Sequence, residues 1–171
     1  MLNNYNISNL QIYVISLKTI KKYIKSDNYK SLSNLNHKII LSKGKILNKQ
    51  QCDKYFIYAK SAIGITLAHL KVWKNIKRKM NKLSTLSNFS IILEDDTILK
   101  FDKNKFFKEI KYIIINFTFD IYKIHSDFDN GFTSMAAYII NNNTINNILS
   151  NYKIYLGHLD FDLYILKLYN K

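Results

Sequence analysis

Glu94, Asp95 and Asp96 stand consecutively where an apolar run, Ile91-Ile-Leu93, ends. Carboxylates delivered by a buried strand to a sheet edge are hard oxygen ligands of the kind that suit Mg²⁺ or Mn²⁺. Neighbouring carboxylates also oppose one another's ionisation, so something positive must stand near them, either a basic wall of the fold or a bound cation. Taken alone, three acids after a strand more often describe a solvated turn. Two more acid-x-acid pairs occur, Asp127/Asp129 and Asp160/Asp162. Asp127-Phe-Asp-Asn-Gly131 opens like a calcium loop, but the position that must close such a loop with glutamate is Tyr138, and an Asx-type turn describes the stretch better. His158-Leu-Asp-Phe-Asp162 opens a C-terminal helical pattern, where an N-cap and helix-dipole role is the plain reading. His125 and His158 each offer a nitrogen to a metal or a phosphate, and His158 adjoins Asp160.

These groups need elements to hold them. Leu10 to Leu17, His37 to Leu41, Phe89 to Leu93, Asp120 to Ile124 and Met135 to Ile140 read as short buried strands, the second stopped by Ser42-Lys43-Gly44. A lysine-rich stretch from Thr19 to Lys25 reads as helical. The longest helix pattern runs from about Ser61 to Lys82, with Ile65, Ala68, His69, Val72, Trp73, Ile76 and Met80 on one face and Lys71, Lys74, Lys77 and Arg78 away from it. That basic face also resembles a nucleic-acid or membrane stripe, but Trp73 lies on the apolar side, which favours packing on a sheet. Near-continuous apolar strands alternating with helices predict an α/β domain with a mostly parallel sheet and helices on both faces. In such sheets ligands collect outside the carboxyl ends of the strands, where strand order reverses. The acidic trio sits at such an end. His69, in the middle of the helix's apolar face, reads as a core histidine placed between helix and sheet, close behind the trio.

Composition narrows the function. The 171 residues carry 26 basic and 12 acidic side chains, a net charge of +14. Arg78 is the only arginine, and lysine is a hydrated point charge poorly suited to bidentate base or phosphate recognition, which argues against sequence-specific nucleic-acid binding. A diffuse attraction to anions remains: nucleotides, phosphorylated acceptors, an anionic membrane surface or nucleic acid. With 47% hydrophobic and 14% aromatic residues the chain is not of the disordered class. Cys52 is the only cysteine, which removes a disulfide framework and fits a reducing compartment. No proline, few glycines and no linker signal predict one domain over residues 1–171. No apolar run approaches the ~20 residues of a membrane helix and MLNNYNISNL lacks a secretory pattern, so the expectation is a soluble, cytoplasmic protein.

Ser61-Ala-Ile-Gly-Ile-Thr-Leu-Ala-His-Leu-Lys-Val-Trp-Lys74, followed by Ile91-Ile-Leu-Glu-Asp-Asp96, resembles the core of glycosyltransferase family 25, the enzymes of lipopolysaccharide sugar addition and collagen galactosylation. The family pattern is roughly a Gly-Glu-Ile-Gly-Cys segment, a Ser-His pair, a Trp and a Leu-Glu-Asp-Asp strand end. Ile63, Gly64, His69, Leu70, Trp73, Leu93, Glu94, Asp95 and Asp96 match it. Ile12 to Leu17 is similar to the opening strand, Ile39 to Gly44 to the second strand and its turn, Ala137 to Ile140 to an Ala-Tyr-Ile-Ser segment, and Leu159-Asp160 to a late aspartate motif. The resemblance spans about residues 11 to 167. Ser61-Ala62 stand in place of the Gly-Glu, Ile65 of the cysteine, Ala68 of the serine, and Ser42-Lys43 where the second strand usually ends in aspartate.

The resemblance implies a GT-A type, Rossmann-like fold and an inverting, metal-dependent hexosyltransferase. Its donor would be a nucleotide-sugar, UDP-linked, and its acceptor a glycan, a lipid-linked group or a protein. It implies Mn²⁺ or Mg²⁺ held by Asp96; His158, because it adjoins Asp160, is a second metal-site candidate. Donor binding would fall to Glu94, Asp95, Gly64, Thr19 and His69, and Asp160 or Asp162 would serve as the base that activates the acceptor hydroxyl. Two other readings stay open: a non-catalytic descendant that keeps the binding surface, and a small basic nucleic-acid-binding protein.

Overall fold

A computed structural model describes residues 10–33, 35, 38–44, 48, 50, 60–81, 88–97, 102–124 and 137–151. The apolar runs become five strands: β1 Gln11–Ser16, β2 Ile39–Lys43, β3 Phe89–Glu94, β4 Ile121–Lys123 and β5 Ala137–Asn141. They form one sheet in the order β2-β1-β3-β5-β4. β1 pairs in parallel with β2 and with β3, Ile12 lying opposite both Ile39 and Ile91. β5 runs antiparallel to β3 and to β4, so β4 points the same way as the first three strands. The sheet is thus mostly parallel in direction, with one reversed strand.

Period-two alternation sorts the β1 side chains between two cores. Tyr13 and Ile15 join Val72, Trp73 and Ile76 on one face, while Ile12 and Val14 join Tyr23, Leu32, Phe106 and Ile110 on the other. Helices therefore cover both faces, which explains why the central strands are apolar throughout.

The first face is covered by α3, Lys60–Met80, and by α5, Ile145–Asn151, which follows a 3₁₀ turn, Asn142–Thr144. Buried His69, Val72, Trp73 and Ile76 recur at helical spacing on α3. Lys79 Nζ lies 3.2 Å from Gln11 Oε1 at the start of β1, and Lys71 Nζ 3.3 Å from the carbonyl of Lys43 at the end of β2. The helix thus runs against the strands and carries its N-terminal turns toward their carboxyl edge. Among the described residues no helix is long and apolar enough to cross a membrane.

The second face is covered by α1, Ile20–Tyr23, α2, Asp27–Ser33, and α4, Lys103–Asn116. The helix expected over Thr19 to Lys25 is shorter and is followed by another, because Ser26 intervenes. Its Oγ donates to the Tyr23 carbonyl at 2.6 Å and accepts from the Tyr29 N–H at 3.2 Å, ending one helix and starting the next. α4, to which the sequence reading assigned no element, is capped by Asp102, which accepts from Lys105 N. It buries Phe106, Ile110 and Ile114 one turn apart.

β2 also runs further than expected. Ser42 and Lys43 continue the ladder opposite Ile15 and Ser16, and the Gly44 N–H donates to the Ser16 carbonyl at 2.7 Å. A Cβ at Gly44 would come 2.9 Å from Leu17 Cδ2, so glycine allows the two loops to leave the sheet in contact.

Candidate functional site at the switch point between β1 and β3

After β1 the chain moves to one side to form β2, then returns across β1 to form β3, so strand order reverses between β1 and β3. The carboxyl ends of those two strands flank the crevice that this topology offers to ligands. Ser16 closes one, and Glu94 closes the other, with Asp95 and Asp96 following it. The trio is held in a tight turn in which the Thr97 N–H donates to the Glu94 carbonyl at 3.1 Å.

The three adjacent carboxylates are tolerated because each meets a different environment. Asp95 turns to β1: the Ser16 hydroxyl donates to its Oδ2 at 2.5 Å, and Lys18 Nζ stands 3.4 Å from the same oxygen. Ser16 is buried and its Oγ also accepts from the Lys18 N–H at 3.0 Å. A charge-assisted hydrogen bond from a buried hydroxyl is worth about 1.5–3 kcal/mol. The Lys18 ion pair, with 45% of the lysine side chain exposed, contributes less, ~0.2–1 kcal/mol for such pairs. The hydroxyl is the stronger anchor. Tyr23 lies close enough to feel the same acid: burial pushes its hydroxyl well above the ordinary value, and the charges of Asp95 and Tyr29 add to the shift.

Glu94 turns the other way, toward α3. His69 Nε2 lies 3.4 Å from Glu94 Oε1, and His69 Nδ1 lies 2.7 Å from the Tyr138 hydroxyl. Trp73 Nε1 donates to that hydroxyl at 3.1 Å. Burial lowers the pKa of the fully buried imidazole, while the hydrogen bond to Glu94 and its charge act in the opposite direction. With burial the largest influence, His69 is neutral at pH 7. Asp96, by contrast, is exposed at the turn.

The structure therefore brings together Glu94, Asp95, Asp96 and His69, and gives them partners the sequence reading did not single out: Ser16, Lys18 and Tyr138. A polar residue ending an otherwise apolar strand was the available signal for Ser16. Thr19 is exposed and accepts from Lys22 N as the N-cap of α1, and Gly64 is buried in the N-terminal part of α3. His125, His158, Asp160 and Asp162 lie outside the described residues. Among the described residues no three His, Cys, Asp or Glu side chains converge as a complete cation site. Mg²⁺ or Mn²⁺ held at a diphosphate needs only one or two carboxylates, with phosphate oxygens and water supplying the rest. Asp96 is the acid of the trio whose side chain faces solvent and can take that part.

No family model matches the chain, and no curated protein matches it. Solved structures do. One is a glycosyltransferase involved in the glycosylation of the major capsid of PBCV-1, with a TM-score of 0.51 at 10% identity, over 81% of this chain and 62% of that one. Another is the apo-form glycosyltransferase GlyE of Streptococcus pneumoniae TIGR4, with a TM-score of 0.53 at 14% identity, over 95% of this chain and 44% of that one. The chain shares the α/β fold of GT-A type with these two glycosyltransferases and spans 62% and 44% of their respective lengths.

Proposed function

We propose that the protein is a glycosyltransferase of the family 25 kind, transferring a hexose from a UDP-linked donor to a glycan, lipid-linked or protein acceptor with inversion at the sugar carbon. The observation that carries this reading is the acidic turn at the β1/β3 switch point, with Glu94 and Asp95 tied into the fold and Asp96 left facing solvent. In this reading Asp96 holds Mn²⁺ or Mg²⁺ against the donor diphosphate. When bound, the cation supplies charge neutralisation to the diphosphate and to the departing nucleotide. Glu94 accepts a ribose hydroxyl, and Asp95 keeps the β1–α1 loop, with Lys18 and Thr19, against the same crevice. Gly64 is a further donor-side candidate, on the part of α3 that runs toward the same edge. Asp160 or Asp162 takes the proton of the acceptor hydroxyl as it attacks, and His158 is a second candidate for the cation. The lysine excess favours acceptors or surfaces that carry negative charge.

A binding-only domain is the second reading, favoured by Ser42-Lys43 and Ser61-Ala62 standing where the resembled family carries acids. Incubating the protein with a panel of nucleotide-sugars and Mn²⁺, and measuring release of the nucleoside diphosphate, separates the two. Mn²⁺-dependent hydrolysis of a UDP-sugar supports the transferase. Binding of UDP without turnover of any donor, in the presence of a broad acceptor panel, supports the second reading.

A further inference from the structure

Trp73, Tyr138, His69 and Glu94 come from α3, β5 and β3, yet they lie in one hydrogen-bonded line that leads from the core to the carboxyl edge of the sheet. The donors set its direction. Trp73 Nε1 can only donate, so the Tyr138 oxygen accepts at 3.1 Å. The Glu94 carboxylate can only accept, so the imidazole proton belongs on Nε2, facing Glu94 Oε1 at 3.4 Å, and the bare Nδ1 takes the Tyr138 hydroxyl proton at 2.7 Å. The other tautomer would turn a nitrogen lone pair toward a carboxylate oxygen. Trp73, Tyr138 and His69 are all 0% exposed. The Glu94 side chain is 27% exposed, so it meets both the core and solvent. At 3.4 Å the outermost contact is long, so the imidazole steers the carboxylate more than it binds it.

We infer that His69 is a positioning residue: held in place by Tyr138 and Trp73, it sets the Glu94 carboxylate to receive a ribose hydroxyl, and through it the site prefers ribonucleoside diphosphates to their deoxy counterparts. This rests on the donor-site reading above. It adds a role for three buried side chains that touch no ligand themselves. Steering matters here because a hydrogen bond to a charged acceptor discriminates only if the acceptor is oriented toward where the hydroxyl arrives.

The test is calorimetric binding of UDP, 2′-deoxy-UDP, 3′-deoxy-UDP and pyrophosphate, each with Mn²⁺, to the wild type, His69→Asn, His69→Gln, Glu94→Gln and the His69→Asn/Glu94→Gln double variant. The wild type is expected to prefer UDP to its poorer deoxy analogue by on the order of tenfold. His69→Asn keeps a partner for Tyr138 but is too short to reach Glu94, and is expected to lose most of that preference with pyrophosphate affinity unchanged. His69→Gln, whose amide nitrogen occupies the Nε2 position, restores it. The double variant is no worse than Glu94→Gln, because both changes act through one carboxylate. Full ribose preference in His69→Asn, or equal loss of UDP and pyrophosphate, overturns the inference. A ligand-free readout accompanies it: imidazole nitrogen NMR is expected to find the proton on Nε2 and to shift when Glu94 becomes Gln, and a ring protonated on Nδ1 overturns it. A wild type that binds no nucleotide removes the donor-site reading and the ribose assignment together, while the nitrogen spectrum still decides whether His69 sets Glu94.

Discussion

The hydroxyl of Ser16 lies 2.5 Å from Asp95 Oδ2, joining the last residue of β1 to the turn after β3 across 79 positions of sequence. The bond places one acid of the trio in a structural role and holds the two strand ends together at the switch point. It also leaves the neighbouring Asp96 to meet solvent at the same edge.

Ser16→Ala is expected to destabilise the protein by about 1–3 kcal/mol, since it leaves a part-buried carboxylate short of a donor. Lys18→Met removes only a half-exposed ion pair and is expected to cost about 0–1 kcal/mol. Urea denaturation of the two variants against the wild type checks the order. An equal cost for both would mean that the lysine holds Asp95 as strongly as the hydroxyl does.

Asp96→Asn is expected to abolish Mn²⁺-dependent release of nucleotide from the donor while leaving the circular dichroism spectrum unchanged. Without metal the variant is expected to be as stable as the wild type or slightly more so, because one of three adjacent negative charges is gone. Turnover near the wild-type rate would remove Asp96 as the cation ligand.

The pH dependence of stability follows from His69. Its folded pKa lies below the ordinary value of 6.5 because it is buried, so below about pH 6.5 the unfolded chain takes up a proton that the folded chain refuses. The stability associated with the neutral ring is therefore fully present above 6.5 and is lost as the pH falls from there toward the lowered folded value. His69→Gln, which cannot titrate, is expected to show a shallower fall between pH 6.5 and 5 in denaturation measurements. Parallel curves for the two proteins would show that His69 is charged in the folded state.

Asp160 and Asp162 are tested kinetically. Replacing the true base with Asn is expected to slow transfer by roughly 10²- to 10⁴-fold with little change in donor affinity. A large loss of donor binding in both variants would assign the pair to structure or to the metal instead.

Much of this was legible in the sequence, for physical reasons. Ile91-Ile-Leu93 reads as a buried strand because it is apolar on both faces, and that alone puts Glu94, Asp95 and Asp96 at a sheet edge. The apolar stripe of α3 likewise puts His69 behind that edge. The reversed direction of β5 could not be read, because Ala137–Asn141 has the same apolar pattern whichever way it runs. α4 went unassigned although its signals were present, an aspartate cap at Asp102 and apolar residues four apart at Phe106, Ile110 and Ile114. The partners of the acids were the least legible. Ser16 to Asp95 and His69 to Tyr138 span 79 and 69 positions and exist only once strand order brings β1, β3 and β5 side by side.

The central claim, that the acidic turn holds a nucleotide diphosphate through a cation on Asp96, is tested most directly by thermal denaturation with ligand. A molecule that binds only the folded state adds about 2.7 kcal/mol at a hundred times its dissociation constant. UDP with Mn²⁺ is expected to raise the melting temperature, UDP with a chelator to do much less, and Asp96→Asn to erase the difference. Lysine-driven anion binding predicts instead an equal response to UDP, pyrophosphate and sulfate, independent of metal and steeply weakened by salt. A metal-independent rise of the same size for every polyanion would contradict the account, and the trio would then be an ordinary solvated turn.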